Sequence, residues 1–187
     1  MLSRENAIAM LEAAGDGALW TQHCFAVADK AVVIGAALEQ HQPLDIRLLW
    51  SAALLHDVGR QATQDPVRHG VAGYHLLTAT GHAKEARVCA SHVLFGLRAA
   101  EAVRFGLPDR DFIPESVEEK LVALVDLLIE FDQPTSLTQR FASLRKRNAG
   151  NAFFLQRLDR AFAAAEAFKT QIEQILDDSV EGMVAKS

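Results

Sequence analysis

Apolar residues recur at steps of three and four along almost the entire chain, and no segment alternates with period two between hairpin turns. Residues three and four apart share one face of a helix, whereas residues two apart share one face of a strand. The spacing therefore predicts an all-α fold with no substantial sheet. Ser3 caps a short first helix with Ile8, Leu11 and Ala14 inward, stopped near Gly15-Asp16-Gly17. A second helix, from about Trp20 to Leu38, carries the stripe His23, Val27, Ala31, Ile34 and Leu38. Pro43 and Asp45 open a third, with Leu48, Leu49, Ala52, Ala53 and Leu55 buried and an end at Gly59. Asp65-Pro66 reads as an N-cap followed by proline at the first helical position. That helix puts His69, Ala72, Gly73 and Leu76 on one face and stops at Gly81. The next, from about Ala83 to Phe95, brings Glu85, Val88, Cys89 and His92 near one another. A short helix from Arg98 to Phe105 leads to a break at Gly106-Leu107-Pro108. Ser116-Val117-Glu118-Glu119 has the form of a capping box and starts the helix of Asp126, which Pro134 ends. After a polar connection, Asn151 to about Leu176 forms one long amphipathic helix through Phe154, Leu158, Phe162, Ala165, Phe168, Ile172 and Ile175.

With 187 residues, half of them hydrophobic and 23% charged, the chain is long and apolar enough for one sizeable core. A formal net charge of -5 argues against a generally basic nucleic-acid binder. The basic cluster Arg140, Arg145, Lys146 and Arg147 reads as a solvated helix face or an interface edge. Cys24 and Cys89 are far apart and form no Cys-x-x-Cys, so packed, reduced thiols are expected. Met1-Leu2-Ser3-Arg4-Glu5-Asn6 lacks the apolar run of a signal peptide, and no apolar stretch reaches the roughly 20 residues that cross a bilayer. The expectation is a soluble, cytoplasmic protein with no membrane partner.

Two polar features sit oddly in this helical pattern. Asp126 interrupts Leu121-Val122-Ala123-Leu124-Val125-Asp126-Leu127-Leu128-Ile129. An ionised carboxylate there needs a cation, a hydrogen-bond network or an exposed helix face. His56-Asp57 closes the apolar run Ala52-Ala53-Leu54-Leu55. Adjacent residues diverge by about 100° within a helix, so both reach one metal only from a helix end. A nitrogen and oxygen donor pair suits Mn, Fe, Co or Zn better than an all-oxygen calcium site.

Taken in order, His23, His56-Asp57 and Asp126 resemble the HD-domain superfamily of metal-dependent phosphohydrolases. His56-Asp57-Val58-Gly59-Arg60 looks like the family's H-D-I-G-K segment, Arg68-His69-Gly70-Val71-Ala72-Gly73 like the segment with a further histidine, and Ala90-Ser91-His92 like the next. The likeness covers roughly residues 20 to 131 and is closest to small stand-alone HDIG-type proteins, in which the stretch from Gly106-Leu107-Pro108 to Asp126 is also similar. It implies a compact HD-domain-like helical bundle over 1–132, with 133–187 a C-terminal helical extension packed on the domain or at a homodimer contact.

The resemblance further implies that His23, His56, Asp57 and Asp126 hold one divalent metal. Asp57 would bridge to a second, bound by His69 and His92, the ions being Mn, Fe, Mg, Co or Zn. His75 rivals His69, but the two lie about 120° apart around a helix, and Gly73 leaves room beside His69. His82 reads as a loop residue and His41 as solvated. Two such ions would activate a water toward a small phosphate ester, a nucleotide or nucleotide-like compound, with Asp57 and Arg60 catalytic. Arg60 is the nearest candidate to clamp the phosphoryl oxygens, ahead of Arg68 and Lys30. A di-iron oxygenase and a non-catalytic nucleotide-binding domain are the alternatives.

Overall fold

The computed structural model describes residues 2–15 and 17–186; Asp16, within the stop assigned to the first helix, lies outside them. The helical spacing becomes α1 (Arg4–Gly15), α2 (Leu19–Leu38), α3 (Ile46–Leu55), α4 (Arg68–Ala79), α5 (Ala83–His92), α6 (Ala99–Arg104), α7 (Val117–Leu128), α8 (Leu137–Arg147), α9 (Ala152–Leu176) and α10 (Val180–Ala185). The fold is all-α, with the long final amphipathic helix in place as α9. Beyond the helices, β1 (Ile129–Glu130) and β2 (Gln133–Pro134) form a two-residue antiparallel hairpin. No helix among the described residues is long and apolar enough to cross a membrane.

Helix starts follow the caps in the sequence. Asp45 accepts the amide of Leu48 at 2.9 Å, Ser116 that of Glu119 at 3.2 Å and Asn151 that of Phe154 at 3.0 Å. Asp65 accepts the amides of Val67 and Arg68, and α4 begins only at Arg68, two residues beyond the proline. The third helix departs further from its expected end. α3 stops at Leu55, and the chain continues as a 3-10 turn over Val58–Gln61. His56 and Asp57 thus lie between two elements, so the 100° divergence of a continuous helix does not apply to them.

α2, α3, α5 and α7 pack against one another, and α4 lies across α5 and the Val58–Gln61 turn. Leu54, Leu55, Leu121, Leu124, Leu128, Ile34 and Leu38 are fully buried between them. α7 is enclosed on every side, since Leu121 to Ile129 is buried throughout except at Asp126. An exposed helix face therefore does not explain that aspartate. α9 runs along α7 and α8 and against a second 3-10 turn, Val93–Phe95, that ends α5 earlier than its apolar spacing suggests.

The expected polar connection before α9 is itself a helix, α8, followed by a short turn. Ser136 caps it by accepting the amide of Gln139 at 3.2 Å, and Leu137 and Phe141 bury its inner face. Charged and polar residues occupy most of its other positions, which hid the short apolar stripe.

The approach of α4 to the chain after Asp57 depends on Gly59. A Cβ there would overlap the carbonyl oxygen of His69 and the amide nitrogen of Gly73. Backbone cannot yield as a side chain does, so Gly59→Ala is expected to cost at least about 3 kcal/mol. For a chain of this size that is about 6–12 °C in Tm, measurable by calorimetry.

Candidate metal centre

Six sequence-derived residues meet at one place. His23 comes from the first turns of α2, His56 and Asp57 from the link after α3, His69 from α4, His92 from the last turn of α5, and Asp126 from α7. All are buried except Asp126, whose side chain is 16% exposed. His23 Nε2 lies 3.0 Å from Asp126 Oδ1, and His56 Nε2 lies 3.7 Å from the same oxygen. On the other side His69 Nε2 is 2.9 Å and His92 Nε2 3.6 Å from Asp57 Oδ1, with the two ring nitrogens 3.2 Å apart. Asp57 Oδ2 faces His56 Nε2 at 3.8 Å. The two oxygens of Asp57 are therefore directed to different groups of histidines.

The orientation of the rings explains what this cluster is suited to hold. Each Nδ1 donates to a backbone carbonyl: His23 to Phe131 at 2.6 Å, His56 to Ala53 at 2.6 Å, His69 to Asp65 at 2.9 Å and His92 to Val88 at 3.3 Å. A neutral imidazole bonded this way leaves a lone pair on Nε2. Four such lone pairs converge on two carboxylates that are themselves acceptors. Neither His56 Nε2 nor Asp57 Oδ1 has a hydrogen-bond partner among the described residues. Acceptors this close repel unless each ring takes a second proton or a cation lies between them. Burial disfavours charging several adjacent rings, whereas one divalent ion serves several donors together. Ligand bonds of about 2.1 Å set donors about 3.0–3.4 Å apart, close to the spacing here. His23, His56 and Asp126 form one group, and His56, Asp57 and His92 another, with donor atoms within 4.8 Å of one another. The residues fit divalent metal.

Charge states agree with that assignment. Burial opposes the Asp57 carboxylate, but His69, His56 and Arg60 hold its pKa well below the ordinary value. Burial likewise opposes Asp126, and the adjacent His23 and His56 rings more than offset it, holding its pKa well below the ordinary value. Burial pushes His92 down, favouring its neutral form. For His56 burial acts downward too, yet Asp57 and Asp126 raise it above the usual histidine range. Metal binding requires the neutral ring, so a raised pKa makes protons compete with metal near neutrality. Mn²⁺ affinity is expected to strengthen from pH 6 to pH 8 with net proton release. Titration calorimetry in buffers of different ionisation enthalpy reads both effects.

Arg60 bonds through Nε to Asp57 Oδ2, so it reaches the cluster as the sequence suggests. Arg68 instead lies over the ring of Phe105 and Lys30 bonds the carbonyl of Lys186, which removes both as clamp candidates. His75 is exposed, with Nε2 3.1 Å from the Gly106 carbonyl oxygen. His41 is exposed, and His82 stands half-buried before α5. Burial raises the pKa of Cys24 and Cys89 well above the ordinary thiol value, so neither is an activated nucleophile.

Nothing in the sequence spacing marks the arginines of α8 as site residues. Arg145 and Lys146 are exposed, as a solvated face requires, but Arg140 and Arg147 turn toward the cluster. They lie seven residues apart, on one helix face with Leu144. Arg140 is 11% exposed, 3.9 Å from Asp126 Oδ1 and 3.6 Å from Glu130 Oε1. Arg147 lies 3.1 Å from the same Glu130 oxygen. Two cavities of about 230 and 360 Å³ open beside the cluster, and Arg60, Gln64, Arg140 and Arg147 line both. His69, His92 and Asp126 line the smaller, His23 and Asp57 the larger. The result is a cleft with metal donors on one wall and guanidinium groups on another.

The family model for the HD domain matches residues 20–129, the segment that supplies all six clustered residues. The chain belongs to the HD-domain family, a superfamily of metal-dependent phosphohydrolase type. A protein of Methanocaldococcus jannaschii described as uncharacterized is 32% identical over 139 residues, 73% of this chain and 82% of that protein. The tRNA (cytidine(56)-2'-O)-methyltransferase of Picrophilus torridus is 35% identical over 111 residues, 59% of this chain and 32% of its own length. Its counterpart from Thermoplasma volcanium is 32% identical over 120 residues, 64% of this chain and 35% of its own. The likeness thus spans about a third of each methyltransferase. No solved structure gives a significant match.

Proposed function

We propose that this chain is a metal-dependent phosphohydrolase that cleaves a small phosphate ester. The carrying observation is the pairing of an inward-facing histidine and carboxylate cluster with the arginine wall of Arg60, Arg140 and Arg147. When bound, a pair of divalent ions would acidify a water and offset charge on the phosphoryl oxygens. The chain's own residues supply the rest. Asp57 presents an oxygen to each side of the cluster, and the backbone carbonyls fix every imidazole so that Nε2 faces inward. Arg140 and Arg147 offer planar forks that suit phosphoryl oxygens. Burial of the cluster excludes bulk water and strengthens each of these interactions.

Methyl transfer is not carried over from the matched methyltransferases, because the shared segment is a minor part of them. The arginine wall favours an anionic substrate and gives the hydrolase reading precedence over oxygen activation. On adding Mn²⁺, Mg²⁺ or Zn²⁺ to metal-stripped protein, a panel of substrates is expected to yield inorganic phosphate and alcohol from monoesters, or a monoester and alcohol from diesters. Turnover only with iron and oxygen, without phosphate release, would contradict the proposal.

A further inference from the structure

Phe131 combines three properties that together point beyond the metal cluster. Its backbone φ is 60°, in the left-handed region that a bulky side chain rarely adopts. Such strain persists where surrounding structure enforces it, often at a functional site. Here its carbonyl accepts the Nδ1 proton of His23 at 2.6 Å, which ties the hairpin tip to the cluster. Its side chain is nevertheless 66% exposed.

The exposed ring is not isolated. Leu19, 74% exposed, and Trp20 line the same cavity as Phe131, together with His23, Asp57 and the arginines. Among the described residues, only four large apolar side chains stand out as exposed, Leu19, Val33, Val103 and Phe131, and two of them meet at this mouth. Arg147 lies with its guanidinium carbon 5.9 Å from the centre of the Phe131 ring. That is within the cation–π range of about 6 Å, so Arg147 partners one face of the ring, and an incoming flat ring would stack on the other face or displace this guanidinium. The cavity of about 360 Å³ falls within the range of roughly 300–1,000 Å³ for small-molecule sites.

We infer that Phe131, flanked by Trp20 and Leu19, is a specificity-determining platform for a planar aromatic ring carried by the substrate. The inference rests on the phosphohydrolase reading for the position of the phosphate, held by the arginines and the cluster. It assigns the leaving group: a phosphate ester of an aromatic or heteroaromatic moiety, such as a nucleoside, is favoured over an aliphatic one. An aromatic face accepts any flat ring by stacking, without a hydrogen-bond code. The unusual backbone at Phe131 serves both ends of the site, since its carbonyl orients His23 while its ring faces the leaving group.

The test compares adenosine 5′-monophosphate with glycerol phosphate on Mn²⁺-loaded wild type, Phe131→Ala and Phe131→Tyr. Binding is followed by calorimetry and turnover by phosphate release. Wild type is expected to prefer adenosine monophosphate about tenfold in Kd or KM. Phe131→Ala should weaken adenosine monophosphate by about tenfold more than glycerol phosphate and so abolish the preference, and Phe131→Tyr should keep it. Preference for adenosine monophosphate without phosphate release would support the platform while removing the hydrolase reading. Equal, or equally undetectable, binding of both ligands by wild type overturns the inference. A preference that survives Phe131→Ala overturns it too, as does an equal loss of both ligands. A changed oligomeric state in Phe131→Ala at unaltered preference would assign the patch to self-association instead.

Discussion

Replacing Asp57 by alanine is expected to lower bound metal from two ions per chain to one or none and to bring phosphate release to background. Asp57 is 2% exposed and directs one oxygen toward His69 and His92, the other toward His56 and Arg60. Among the described residues no other carboxylate reaches both groups, because Asp126 faces His23 and His56 alone among the histidines. Loss of Asp57 should therefore exceed the about 10²–10³-fold cost of removing one electrostatic donor from an active site. His56→Ala should have a similar effect, since His56 belongs to both metal-compatible groups. Elemental analysis alongside a phosphate-release assay checks both variants. Wild-type turnover in either would sink the proposed chemistry.

Arg140→Ala should separate metal binding from catalysis. The side chain is nearly enclosed, its Nε lacks a partner among the described residues, and its terminal nitrogens face Asp126 and Glu130. It is well placed to bind phosphoryl oxygens but has no metal-binding atom. The expected result is a fall of about 10²-fold in kcat/KM with metal content unchanged. Arg140→Lys should recover only part, because an ammonium keeps the charge and loses the planar fork. Unchanged kinetics in the alanine variant would show that α8 is a cover for the site rather than part of it.

The contrast between Asp126 and Arg140 shows what the sequence could reveal. Asp126 is conspicuous because eight apolar residues surround it, and a carboxylate in such a run needs compensation. His23 is legible for a related reason, its place on an apolar stripe of α2. Arg140 sits among polar neighbours, where an arginine is the default surface residue. Only the steps Leu137, Phe141 and Leu144, preceded by the Ser136 cap, mark its helix. Phe131 carries no sequence signal at all, because its role follows from a left-handed backbone in a two-residue hairpin that no periodicity announces. The early end of α3 has the same character. The apolar run closes at Leu55 but the first glycine stop is Gly59, and tertiary packing of α4 against Gly59, rather than local propensity, accompanies the change to a 3-10 turn.

The most direct measurement is the metal content of metal-stripped protein reloaded with Mn²⁺ and freed of excess ion, compared between wild type and His56→Ala. Two tightly held ions per wild-type chain, with marked loss in the variant, is the predicted result. Wild-type protein that retains no more metal than the variant would contradict the assignment of this cluster as a metal centre.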